Sequence, residues 1–250
     1  MKNTKTHMHL KKKVLLLVCA LILIAVIVAL INFYPILSMS PVGTGTISDT
    51  EITSVKNGMN SVFLIESNDG YIMFDAGSNQ KALAKELVKA GVSASDVKHI
   101  ILTHTDYDHV DSLPLFENAT IYLNEDEVQM INGETERSSG KYSSLPDGIA
   151  HEDLILLKNG TVMTIGDRDI RCVGAPGHTP GSMAFILDSR YIFTGDALKI
   201  NDNNISVHPF TMDEDTANGT IKMLYEFIKE TELTLTAHYG VSYSDNLTIK

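Results

Sequence analysis

The chain has 250 residues, 44% of them hydrophobic, and a formal net charge of −11. That length holds one globular core, and no internal repeat divides it. The charge argues against nucleic acid as a partner, because neutralising phosphates takes a basic surface; acidity of this kind serves solubility.

Lys2, Lys5, Lys11, Lys12 and Lys13 precede Val14 to Phe33, a run of 20 residues without a charge. As a helix at about 1.5 Å per residue this run spans roughly 30 Å, enough to cross a bilayer. The expected organisation is a basic cytoplasmic tail (1–13), a transmembrane signal-anchor helix (14–33), a linker (34–44) and one folded domain (45–250). The positive-inside rule puts the lysines in the cytoplasm and the domain outside it, on a single-pass cell-membrane protein. Secretion after cleavage near Leu37 to Ser40 is the alternative. Without the tail and anchor the chain keeps 15 basic and 31 acidic residues, a formal charge of −16. Cys19 lies mid-helix after the large Val18 and reads as an apolar helix residue. Cys172, the other cysteine, lies in an apolar run and reads as a small packed hydrophobe.

Ser61 to Ser67 and Tyr71 to Phe74 flank Asn68-Asp69-Gly70, the pattern of a hairpin. Lys81 to Ala90 carries Leu83, Leu87 and Ala90 at helical spacing, with Gly91 as the stop. Strands are expected at 99–103, 120–123, 154–157, 170–173, 183–187 and 191–193. A helix over 215–229 shows Ile221, Leu224, Tyr225 and Ile228 on one face, and 233–236 is the last strand. The Gly- and Ser-rich stretch 132–148 is expected to be a mobile loop.

Directly after Ile100-Ile101-Leu102 stands Thr103-His104-Thr105-Asp106-Tyr107-Asp108-His109-Val110-Asp111, with four potential metal ligands in six positions. A strand that ends in such a loop lets imidazoles and carboxylates converge on a cation without burying an unpaired charge. Further candidates lie on short turns after apolar runs: Pro176-Gly177-His178-Thr179-Pro180-Gly181-Ser182, Thr194-Gly195-Asp196-Ala197 and Thr236-Ala237-His238-Tyr239-Gly240. With Phe74-Asp75-Ala76-Gly77 upstream, this succession resembles the metallo-β-lactamase-fold hydrolase superfamily. Its pattern is a strand ending in Asp and Gly, HxHxDH, a GHTPGS-like turn, a GD turn and a late GH. The resemblance covers about residues 45 to 245 as a domain. It implies an α+β fold, a four-layer αββα sandwich with metals at one edge of two packed sheets.

By the same resemblance, His104, position 106 and His178 hold one metal, Asp108, His109 and His238 a second, and Asp196 bridges them. Two divalent ions so placed, zinc in the first instance, hold a bridging hydroxide and polarise the scissile bond. Asp108 would orient that hydroxide. The implied activity is hydrolysis of an ester, thioester, lactone or related bond of a small molecule. Position 106 departs from the family, with aspartate for histidine, giving HxDxDH. A third carboxylate hardens the first half-site and favours iron or manganese. Three readings follow: two metals with Asp106 as ligand, one metal with Asp106 behind the ligands, or a site without activity. Asp111 and Ser112 also replace glycines that usually follow the motif. A non-catalytic or mononuclear metal-binding, sensory domain of the same fold is thus the alternative to a hydrolase.

Tyr107, Lys199 and Tyr239 adjoin ligands in sequence and are candidate substrate contacts, since a phenol or ammonium stabilises a developing oxyanion; packing or surface roles suit each as well. His7, His9, His99, His151 and His208 lack motif context and read as ordinary structural or exposed histidines. Asp75 reads as a brace for the ligand loops. The oligomeric state is left open by the sequence.

Overall fold

The computed structural model describes residues 2–137 and 143–249. The chain divides into two compact units between Met39 and Ser40. The first is helix α1 (Lys2–Leu37), whose stretch Lys13–Ile31 is long and apolar enough to cross a membrane. Leu16, Leu23 and Ile31 are exposed along it. The helix outruns the apolar run at both ends, taking in the tail expected at 1–13 and the start of the linker expected at 34–44. Hydropathy marks where the chain is apolar, whereas main-chain hydrogen bonding continues through lysines, which are good helix formers. The side chains of His7 and His9 lie outside those described.

The second unit opens with a seven-stranded sheet in simple order. Its strands are β1 (Gly45–Thr46), β2 (Thr53–Asn57), β3 (Asn60–Ser67), β4 (Gly70–Phe74), β5 (Val97–Ile101), β6 (Thr120–Asn124) and β7 (Ile155–Leu157). The first four pair antiparallel and β4 to β7 pair parallel. The expected hairpin is β3–β4, with Ser67 opposite Gly70. The second sheet contains β8 (Val162–Ile165), β9 (Arg168–Gly174), β10 (Met183–Leu187) and β11 (Tyr191–Gly195). A small third sheet holds β12 (Lys199–Asn201), β13 (Asn204–Ser206) and, from the chain end, β16 (Thr248–Ile249). Strands β14 (Leu233–Thr236) and β15 (Val241–Tyr243) complete the second sheet, in order β15-β14-β11-β10-β9-β8 with β11 and β14 parallel.

The inner faces of the two sheets share one apolar core, in which Phe74 stacks on Phe193 at 3.8 Å between ring centroids and Phe63 lies 5.8 Å from Phe193. Helix α2 (Gln80–Lys89) covers the outer face of the first sheet through Leu83 and Leu87, capped by Asn79, whose Oδ1 accepts from Ala82 N at 2.9 Å. Helix α5 (Glu214–Ile228) lays Phe227 under the Arg171 guanidinium of β9 and buries Ile221, Leu224 and Ile228. The result is the four-layer αββα arrangement.

Boundaries differ where ligand loops begin. The strand expected at 99–103 is Val97–Ile101, because Thr103 turns its N–H from the ladder to Asp75 Oδ1 at 2.8 Å. Of the loop expected at 132–148, residues 138–142 lie outside the described ones; beside them Arg137 pairs with Asp106 and Ser143 forms a β-bridge with it.

Candidate metal centre

The loops after β4, β5, β11 and β14 bring Asp75, residues 104–109, Asp196 and His238 together, and the β9–β10 connection adds His178. Short helix α3 (Tyr107–Val110) starts at Asp106 and points Asp108 and His109 inward. Asp196 Oδ2 is the hub: it lies 3.2 Å from His238 Nε2, 3.5 Å from His178 Nε2 and 3.6 Å from His109 Nε2. His104, His178 and Asp196 converge closely enough to hold one ion, and Asp108, His109 and His238 a second. All are buried except Asp108, whose side chain keeps 18% of its surface exposed.

Outer hydrogen bonds decide which ring nitrogen of each histidine can face a metal. His238 Nδ1 donates to the Met59 carbonyl at 2.9 Å, and His109 Nδ1 donates to Asp75 Oδ2 at 2.9 Å. Thr103 Oγ1 gives its single proton to Asp75, at 2.9 to 3.0 Å, and so accepts from His104 Nδ1 at 3.0 Å. In all three the Nδ1 proton is committed, which leaves Nε2 as the metal-facing nitrogen. The Nε2 atoms of His104 and His109 are buried without a hydrogen-bond partner among the described residues. Buried ring nitrogens left without a partner carry a cost that an ion removes. Imidazoles and carboxylates without thiolate form a donor set that suits zinc, and iron or manganese as carboxylates accumulate.

The charges agree. Burial acts to lower the His109 pKa, but the charges of Asp75 and Asp196 outweigh it and hold the ring well above the ordinary histidine value. Burial pushes His178 down to about 4. For Asp106 burial works upward, yet hydrogen bonds and charge from His104 and His178 hold it well below the carboxylate range.

The sequence profile of the metallo-beta-lactamase superfamily matches residues 55–224. The chain belongs to this superfamily. A probable metallo-hydrolase of Methanocaldococcus jannaschii is 28% identical over 170 residues, covering 67% of this chain and 70% of that one. A probable polyketide biosynthesis zinc-dependent hydrolase of Bacillus subtilis is 30% identical over 107 residues, 42% of this chain and 40% of that one. Among solved structures, a beta-lactamase from Chitinophaga pinensis superposes with a TM-score of 0.60 at 21% identity, covering 75% of each chain. A superfamily protein from Sulfolobus tokodaii gives 0.57 at 19%, covering 78% of this chain and 82% of that one.

The superfamily motifs gave no sign of three further residues. His208, expected to be an ordinary histidine, is buried at the centre, with Nε2 3.6 Å from Asp196 Oδ2 and its ring 4.8 Å from that of His178. Asp196, His208 and His238 lie close enough to hold an ion. However, Phe210 N–H donates to His208 Nδ1 at 3.3 Å, which places the neutral ring's proton on Nε2, the opposite tautomer from His104, His109 and His238. That makes His208 a donor aimed into the centre. Glu127 is buried and accepts from Thr105 N and Oγ1 at 2.9 and 2.8 Å, and from Thr179 Oγ1 and Gly181 N at 2.6 and 3.1 Å. It thereby ties the HxDxDH loop to the His178 turn. Gly181 permits this, since a Cβ there would meet Glu127 N at 2.2 Å. Arg137 is the third, paired with Asp106.

Gly195 precedes the hub aspartate at φ 50°, where an added Cβ would lie 2.3 Å from Thr103 Oγ1, so glycine is required for the two ligand loops to touch. Of the candidate substrate contacts, Tyr107 is 44% exposed at the start of α3. Lys199 Nζ sits 5.1 Å over the Tyr239 ring, which is buried with its centroid 5.7 Å from that of His208. His99 bridges Tyr122 and Asp69, and His151 is beside Glu152; neither belongs to the centre.

Proposed function

We propose that this protein is a metal-dependent hydrolase tethered to the cell membrane by α1, acting on a small extracytoplasmic substrate through an ester, thioester, lactone or related bond. One observation carries the reading: His104, His109 and His238 each have Nδ1 tied to an outer partner, so their Nε2 atoms face the carboxylates of Asp108 and Asp196. The relatives described as metallo-hydrolases support the same class.

His104, Asp106, Asp108, His109, His178, Asp196 and His238 form the candidate ligand set, with zinc the ion the donors suit best. When bound there, a divalent ion acidifies water and polarises a carbonyl or phosphoryl oxygen. Asp108, the one ligand open to solvent, accepts a hydrogen bond from the attacking water and holds it toward the substrate. Tyr107, exposed next to Asp108 in the chain, and Lys199 with Tyr239, beside His238, are the proposed contacts for substrate oxygens. The lysines before the apolar stretch orient α1 with its N-terminus in the cytoplasm; release of a shortened, soluble form into the medium would instead show cleavage.

The test is turnover of aryl ester, thioester, lactone and phosphodiester probes by the full chain in detergent, before and after chelation and zinc reconstitution. Zinc-dependent turnover that His109→Ala abolishes is the expected result. Metal binding with no turnover of any probe would favour the non-catalytic domain.

A further inference from the structure

Asp106 is where the chain leaves its family's pattern, and the structure shows what answers its charge. Arg137 Nε lies 3.2 Å from Asp106 Oδ1, and Nη2 lies 2.5 Å from Oδ2. The same Nη2 is 3.0 Å from His178 Nε2, and Nη1 donates to the Phe210 carbonyl. Both side chains are buried, with 8% of Arg137 and 3% of Asp106 exposed. Ser143 Oγ donates to Asp106 Oδ1 at 2.6 Å and completes the carboxylate's bonding.

Arg137 Nη2, Asp106 Oδ2 and His178 Nε2 meet at one point, with the oxygen 3.1 Å from the ring nitrogen and Nη2 within hydrogen-bond distance of both. Asp106 Oδ2 is 3.1 Å from His178 Nε2 and 3.4 Å from His104 Nε2. The Arg137 nitrogen therefore stands where a cation in the first half-site would, against the anionic oxygen of Asp106 and Nε2 of His178. A histidine at position 106 would give a guanidinium no anion to pair with. An aspartate there, without arginine, would be a buried charge with no partner, which is strongly disfavoured. Asp106 and Arg137 thus make sense as one unit.

We propose that Arg137 is the resident cation of the His104–Asp106–His178 half-site, and that the centre holds one metal ion, at Asp108, His109 and His238 with Asp196. This rests on the metal-dependent reading above and fixes its stoichiometry: one of two positive charges is covalently part of the chain.

Zinc per chain is to be measured by calorimetric titration and elemental analysis on the full chain in detergent, stripped of metal beforehand. Wild type is expected to take up one zinc, Arg137→Met two, and His109→Ala to lose the wild-type zinc. Two zinc ions in wild type, or one in both wild type and Arg137→Met, would overturn the inference and leave the hydrolase reading standing. No zinc in any form would sink that reading as well. Should Arg137→Met not fold, Asp106→His combined with Arg137→Met removes both buried charges together. Two ions in that double variant support the assignment and one contradicts it.

Discussion

Replacing Asp75 by asparagine tests how the centre is set up without touching a ligand. Asp75 has φ 60°, a left-handed conformation that asparagine tolerates as well as aspartate does, so the backbone is not strained. Its carboxylate now receives Thr103 N at 2.8 Å, Thr103 Oγ1 at 2.9 to 3.0 Å and His109 Nδ1 at 2.9 Å. The backbone N–H of Thr103 cannot change its role, so the asparagine oxygen stays with it and the amide NH2 turns to His109. A donor then faces Nδ1–H, and the ring relieves the clash by giving up that proton and keeping the one on Nε2, the atom that should bind metal. Outer partners of this kind are worth roughly 10- to 100-fold in metal affinity, about 1.4 to 3 kcal/mol. Competition against a chromophoric chelator reads the zinc affinity, with circular dichroism to confirm the fold. Zinc bound by Asp75→Asn as tightly as by wild type would refute the tautomer argument.

His208→Phe should leave zinc affinity within about 2-fold while lowering turnover, since a donor rather than a ligand is lost; a loss of 10-fold or more in affinity would make His208 a ligand. Glu127→Ala removes the acceptor of four hydrogen bonds and leaves buried donors unsatisfied, at about 1 to 3 kcal/mol each, so denaturant unfolding should show several kcal/mol lost or no folding. Because Asp75 and Asp196 outweigh burial and keep His109 protonated above the usual range without metal, zinc must displace its Nε2 proton. Apparent zinc affinity should then rise with pH through neutrality, with proton release seen by calorimetry in buffers of different ionisation enthalpy. Burial pushes the Cys172 thiol up to about 11, so in a Cys19→Ser background a thiol reagent at pH 8 should label it only after unfolding.

Most of the fold was legible because strands and helices bury one face and their periodicity shows it. Leu83 and Leu87 of α2, and Ile221, Leu224 and Ile228 of α5, are buried as the spacing required. The short strands of the third sheet escaped notice, since Lys199–Asn201 and Asn204–Ser206 are three residues each with one buried side chain apiece. In the centre, residues clustered in local motifs could be read. Those recruited across the chain could not: Glu127 sits in Glu125-Asp126-Glu127, which resembles a solvated acidic run until Thr105 and Gly181 are seen to donate to it. Arg137 and Asp106 are 31 residues apart, and a charge pair over that span leaves no mark in sequence. His208 carries no motif and is placed only by β13 and the turn at Phe210.

Hydrolysis with metal held at the Asp108, His109, His238 and Asp196 cluster stands or falls on activity with and without that metal. Initial rates on the ester, thioester, lactone and phosphodiester probes, measured for zinc-reconstituted wild type beside His109→Ala and Asp108→Asn, test it most directly. Turnover of at least one probe that chelation stops, zinc restores and both substitutions abolish is the expected result. Turnover that survives chelation or either substitution, or none from a folded, zinc-bound wild type, would contradict it.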